Sequence, residues 1–163
     1  MEKLKEENQD REARESVIQS SLDEIRKELN NPEKEVIVEG LSILLKLINN
    51  VIKDPHNEKY RSINKNNKKI QATLLGLNPR EDVDDLIEAL GYTNNPQDGL
   101  YEFTDTSLTV MKRGSYFIEE SITRVANQVP LTEADKIRMA KVKEEKMLFM
   151  AKKAAEEEHM RRL

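Results

Sequence analysis

The chain has 163 residues, of which 36% are charged and 37% hydrophobic, and a formal net charge of -4; that is enough for one modest core with solvated extensions, not for two large domains. It contains no cysteine, which excludes disulfides, thiolate metal sites and cysteine nucleophiles. No apolar run approaches the roughly 20 residues of a membrane span, and a mean hydropathy of -0.76 with a pI near 5.4 argues against a dedicated nucleic-acid binder, so the expected setting is the cytoplasm or the nucleus.

In chain order, the first 30 residues read as a charged helix whose Ile18, Leu22, Ile25 and Leu29 recur at spacings of four, three and four, one narrow apolar stripe. Asn31-Pro32-Glu33 ends it and starts the next helix, with a capping residue, a proline at the first helical position and an acid in the first turn. From Glu33 to Lys53 the residues Ile37, Leu41, Leu44, Leu45, Ile48, Val51 and Ile52 make a broad apolar face, the expected centre of the core. Asp54-Pro55 stops this helix, because the residue before proline is pushed out of the helical region and proline has no N–H to give.

Residues 57–63 and 67–77 read as short helices, the second with Ile70, Leu74 and Leu77 on one face. Asp82 to Leu90 is a further helix with acids in its first turns and Gly91 in the place of a left-handed cap. Asn94-Asn95-Pro96-Gln97-Asp98-Gly99 is turn chemistry, and Leu100-Tyr101-Glu102-Phe103 alternates as a short strand does. Residues 107–129 read two ways, since Ser107 to Met111 fits a second strand and Gly114 weakens one long helix, whereas Ile118, Ile122 and Val125 fit a helix. After Val129-Pro130, Thr132 and Asp135 form a capping-box pattern. Residues 131–163 then read as a long solvated helix whose heptads are broken at Lys143 and Glu157.

Nothing here assembles a catalytic constellation. His56 and His159 lie in a loop and in the charged tail, there is no phosphate-binding glycine loop or nucleophile elbow, and no metal or cofactor is expected. Glu81, Asp82, Asp84 and Asp85 are what a helix N-terminus favours on electrostatic grounds.

The informative stretch is 54–67, DPHNEKYRSINKNN. Its asparagines donate and accept, its cations neutralise carboxylates, and Tyr60 offers a flat apolar face with a polar tip, a set suited to a peptide carrying acids and an aromatic residue. Residues 1–33 carry 6 Lys/Arg against 10 Asp/Glu, 34–129 carry 12 against 14, and 130–163 carry 9 against 7. Against that background, 53–69 stands out with Lys53, Lys59, Arg61, Lys65, Lys68 and Lys69 against only Asp54 and Glu58. The residues also read more plainly: Tyr60 as a core residue with a satisfied hydroxyl, Asn67 as the cap of the helix after it.

From about Glu39 to Ile122 the chain resembles the PUB domain of peptide:N-glycanases, some UBX-domain adaptors and a linear-ubiquitin ligase. The resemblance is carried by Ile48-Asn49-Asn50-Val51-Ile52, then Asp54-Pro55, the run Asn57 to Ile63, Asn67, and Leu90-Gly91-Tyr92. It implies a mainly α (α+β) fold, a compact helical domain with a small antiparallel β-sheet. With the boundary signals above, the expected division is a charged helical extension at 1–31, the domain at 32–129 and a long charged helix at 130–163. The resemblance further implies a pocket for the acidic, Leu-Tyr-containing C-terminal tail of the valosin-containing-protein AAA ATPase. Asn50, Tyr60, Asn67, Gly91 and Tyr92 match positions lining that pocket, and Lys59 supplies a neighbouring charge. Asn64 stands where glycanases carry a basic residue, with Lys65 next to it as a substitute, and Tyr92 stands where the family usually has Phe.

The leading expectation is therefore an adaptor in ubiquitin-dependent protein quality control and not an enzyme, since a glycanase needs a cysteine this chain lacks. The competing expectation is a structural or assembly protein acting through its charged terminal helices, with residues 131–163 as the segment that meets a helical partner.

Overall fold

The computed structural model describes residues 2–27 and 34–163, with side chains from Glu7 onward in the first segment. The expected break at Asn31-Pro32-Glu33 and the last stripe residue, Leu29, lie outside the described residues. Helix α1 (Glu2–Lys27) and helix α2 (Lys34–Lys53) follow the apolar spacing seen in the sequence. In α2 the residues Ile37, Leu41, Leu44, Ile48 and Val51 are buried at successive spacings of four, three, four and three, which is the period of one helix face. The helix closes ahead of Pro55, with the Asp54 amide donating to the Asn50 carbonyl at 3.0 Å.

After one 3-10 turn (Glu58–Tyr60) come strand β1 (Ser62–Asn64), helix α3 (Lys68–Ala72), helix α4 (Arg80–Ala89), strands β2 (Tyr92–Asn95) and β3 (Leu100–Phe103), helix α5 (Thr109–Ala126) and helix α6 (Glu133–Arg162). The three strands form an antiparallel sheet in the order β1-β3-β2, with Ile63 opposite Tyr101 and Tyr92 opposite Phe103. The fold is thus mainly helical with a small antiparallel sheet, as expected. No helix among the described residues is long and apolar enough to cross a membrane.

Local detail departs from the sequence reading in three places and settles a fourth that read two ways. Residues 57–63, expected as a helix, give only the 3-10 turn, and Ile63 belongs to a strand. Pairing with β3 captures it, beginning with the Phe103 amide donating to the Arg61 carbonyl at 2.7 Å. The helix expected at 67–77 stops at Ala72; Leu74, Leu75 and Leu77 are buried from turns rather than from a helix face. Strand β2 begins at Tyr92 and takes in Asn94 and Asn95, which read as turn residues. Ser107 to Met111 is the entry to α5, with the Ser107 hydroxyl accepting from the Thr109 amide at 3.2 Å.

Gly114 sits inside α5 because of packing. A Cβ there would run into a methyl of the fully buried Leu90 and lie 3.4 Å from one of Ile18. The glycine lets α5 approach α4 and α1 together.

The two terminal helices have different fates. In α1, Ile18, Leu22 and Ile25 lie in the same apolar core as α2, α4 and α5. Arg14 ties the helix to the Ala89 carbonyl at 3.1 Å and to Asp105 at 2.7 Å. Helix α1 is therefore packed into the same core as the helices that follow it. Helix α6 starts with the predicted Thr132/Asp135 capping box and buries only Met139 and Val142 among its apolar residues. It is held to α1 by Arg138 on Asp23 and to α4 by Lys146 on Asp85, at 2.8 and 2.7 Å. Every residue after Lys146 is exposed.

Candidate functional site

The stretch after α2 is shaped by Arg61. Its guanidinium donates to the Pro55 carbonyl at 2.8 Å and to the Phe103 carbonyl at 3.1 Å, and lies 5.1 Å from the centre of the Phe103 ring. These contacts brace the 54–61 loop against β3. Asn57 caps the 3-10 turn by accepting from the Lys59 amide at 3.1 Å. Fixed in this way, the turn leaves Lys59 exposed and Tyr60 38% exposed, so Tyr60 is not the core residue that one reading of the sequence allowed. The turn also packs on α2, whose last turn carries the half-buried Asn50.

Gly91 and Tyr92 lie beneath this loop. Gly91 has φ +118°, a region that favours glycine, and its carbonyl accepts from the Thr104 and Asp105 amides at 3.0 and 3.2 Å. A Cβ at this position would come within 2.8 Å of the Phe103 ring. Tyr92 is only 3% exposed and meets Phe103 edge-on at 5.6 Å between ring centres. Its hydroxyl is buried without a hydrogen-bond partner among the described residues. Burial pushes the phenol well above its usual range, with the Arg61 charge opposing. Both residues thus support the Arg61–Phe103 stack from below.

The remaining candidates sit at the other end of β1. Asn64 Oδ1 turns back to accept from the Asn66 amide at 2.9 Å, and Asn67 Oδ1 caps α3 by accepting from the Ile70 amide at 3.1 Å. Lys65 donates through its backbone to the Gly99 carbonyl at 2.9 Å; its ammonium donates to Asn94 Oδ1 and lies 4.6 Å from the centre of the Tyr101 ring. The Tyr101 hydroxyl donates to Asp84 and accepts from Arg80, and its phenol is pushed up to about 12 by burial, then by Asp84, with Arg80 opposing.

The expected residues therefore fall into two groups. Asn50, Lys59 and Tyr60 gather around the braced turn, with Gly91 and Tyr92 as its floor; Asn64 ends β1, Lys65 and Asn67 follow it, and Lys65 points across the sheet rather than toward the turn. Sequence reasoning treated Arg61 as one cation among six and missed its bracing role. Its two carbonyl partners are set by the tertiary fold, 6 and 42 residues away in the chain.

The family model of the PUB domain matches residues 34–124, more than half of the chain. Over 81 residues the chain is 36% identical to the peptide-N(4)-(N-acetyl-beta-glucosaminyl)asparagine amidase of Drosophila melanogaster, a match covering 49% of this chain and 12% of that protein. The chain thus corresponds to a small part of that relative's length. The matched part is a protein-interaction module rather than a catalytic one. With the family model matching more than half of its residues, this chain is a member of the PUB domain family.

Proposed function

We propose that this chain is an adaptor that docks the acidic, Leu-Tyr-containing C-terminal tail of the valosin-containing-protein AAA ATPase, in ubiquitin-dependent protein quality control in the cytoplasm. One observation carries the reading most directly: the Arg61 brace holds Tyr60 and Lys59 outward in a fixed position. An exposed aromatic ring held rigidly beside cations and amides loses little freedom when a peptide binds, which favours affinity. Asn67 takes part while also capping α3, because an amide oxygen that accepts from the Ile70 amide leaves its NH2 group for a ligand. The relative's amidase name describes that protein; no hydrolytic role is proposed for this chain.

The test is a calorimetric titration with an acidic C-terminal peptide ending near a Leu-Tyr pair. Micromolar binding, about -8 kcal/mol, is expected. Tyr60→Ala is expected to weaken it by about 1–3 kcal/mol with the melting temperature unchanged. Absence of saturation at millimolar peptide would sink the reading.

A second contact is favoured by α6, where Met147, Leu148, Phe149 and Met150 are all exposed. Apolar side chains of this size displayed in sequence suit a helical partner. A drop in self-association or partner capture on removal of residues 147–163, with peptide affinity kept, is the expected outcome; unchanged association would refute it.

A further inference from the structure

Outside this stretch Arg14 pairs with Asp105, Arg80 with Asp84, Arg124 with Glu120 and Lys146 with Asp85, while Lys46 and Lys112 stand singly without a carboxylate partner among the described residues. No ion pair among the described residues uses a cation from 53–69. Two of the six cations there are nonetheless occupied. Arg61 braces the loop, and Lys65 is bonded to Asn94 and stacked on Tyr101. The Lys65 charge faces α4, where it opposes the burial that raises the Glu88 carboxyl.

Lys53, Lys59, Lys68 and Lys69 are exposed and, among the described residues, without a carboxylate partner. Lys59 stands just before Tyr60 and Lys68 just after Asn67, so the uncompensated charge brackets β1 at both ends. Of the two acids in the stretch, Asp54 is engaged with the Asn57 side chain at 3.3 Å. A patch of like charges without internal counter-charges attracts a polyanion and speeds its encounter.

We propose that Lys68 and Lys69 on α3, together with Lys59 across β1, read the acidic side chains of the docked peptide, and that Lys65 does not. This inference rests on the docking function proposed above and concerns how the site selects its ligand. Asn64 is uncharged and its oxygen accepts from the Asn66 amide, so the free positive charge on this side of β1 is that of α3. The ligand class is a peptide with several carboxylates N-terminal to its aromatic end, and a peptide with the same end but with amides for acids loses this selection.

The experiment titrates the full chain with the acidic Leu-Tyr-containing peptide and with its Asn/Gln counterpart, at low and high salt. Lys68→Gln/Lys69→Gln is expected to weaken the acidic peptide about 5–10-fold at low salt, flatten the salt dependence and leave the amide peptide within about twofold. Lys65→Gln is expected to leave affinity within about twofold and lower the melting temperature. Equal affinity and salt dependence in the α3 double variant, with binding still lost in Tyr60→Ala, overturns the assignment to α3 and leaves docking standing. Loss of the salt response in Lys65→Gln instead overturns the exclusion of Lys65. No binding by the unaltered chain overturns docking, and the charge assignment with it.

Discussion

Helices α1 and α6 are both rich in charge, and α6 carries the more apolar residues of the two, yet α1 is part of the core and α6 leaves it. The difference lies in spacing and in partners. Ile18, Leu22 and Ile25 keep a helical period and are fully buried against α4 and α5. In α6 the periodic apolar pair Met139 and Val142 is followed by Met147, Leu148, Phe149 and Met150, which are consecutive and so point all round the helix. A helix joins a core when its apolar residues share one face; the total number it carries decides much less.

Leu22 separates the two helices most clearly. Leu22→Ala removes a fully buried side chain between helices, and urea denaturation is expected to show a loss of about 2–5 kcal/mol. A loss below about 1 kcal/mol would mean that α1 contributes little to the core.

Next in size is the charge cluster that joins the two helices. Asp23 on α1 accepts from Arg26 at 3.1 Å and from Arg138 of α6 at 2.8 Å; Arg138 also meets Asp135, and Arg26 donates to the Val129 carbonyl at 2.9 Å. Burial raises the Asp23 carboxyl, with Arg138 and Arg26 opposing and Asp135 adding to the rise. Asp23→Ala leaves Arg26, 1% exposed, without its carboxylate and is expected to cost about 3 kcal/mol. Amide exchange in the first turns of α6 should quicken with it; protection as strong as in the unaltered chain would show that Met139 and Val142 alone hold α6.

A smaller effect is read from pH. Asp82, in the first turn of α4, is raised to about 6 by burial, opposed by Lys146 of α6 and reinforced by Glu24, Asp85 and Glu81. An exposed aspartate titrates near 3.8. The folded carboxyl therefore prefers its proton, and its contribution to stability is complete below about pH 3.8 and lost as pH rises through 6. Asp82→Asn is expected to flatten stability between pH 4.5 and 7.5 and to raise it by about 1 kcal/mol at the upper end, allowing for solvent screening. An unchanged slope in thermal melts across that range would assign the titration elsewhere.

The smallest effect belongs to the far half of α6. Deleting residues 147–163 removes only exposed side chains and is expected to change unfolding free energy by less than about 0.5 kcal/mol. A larger loss would show that the exposed half shields part of the domain.

Several features were legible from local chemistry alone. The α2 face, the stop at Asp54-Pro55, the cap at Gly91 and the Thr132/Asp135 box all appear where the spacing and residue types put them. Each depends on neighbours within about one helical turn, which the sequence contains in full. The Asn67 cap was equally visible.

The rest depended on residues far apart in the chain. Ile63 reads as helical until β3 pairs with it across 38 positions, and three residues are too few for an alternation to declare a strand. Lys65 reads as a free cation until Asn94 and Tyr101 take it up, and Arg61 reads as surface charge until it spans from Pro55 to Phe103. Helical period, punctuation and family are written in residue types at short range and are read directly from the chain. Which charges stay uncompensated and which charged helix becomes core is settled by packing, because a long-range partner appears in no local pattern and the free energy of burial exists only once that partner arrives.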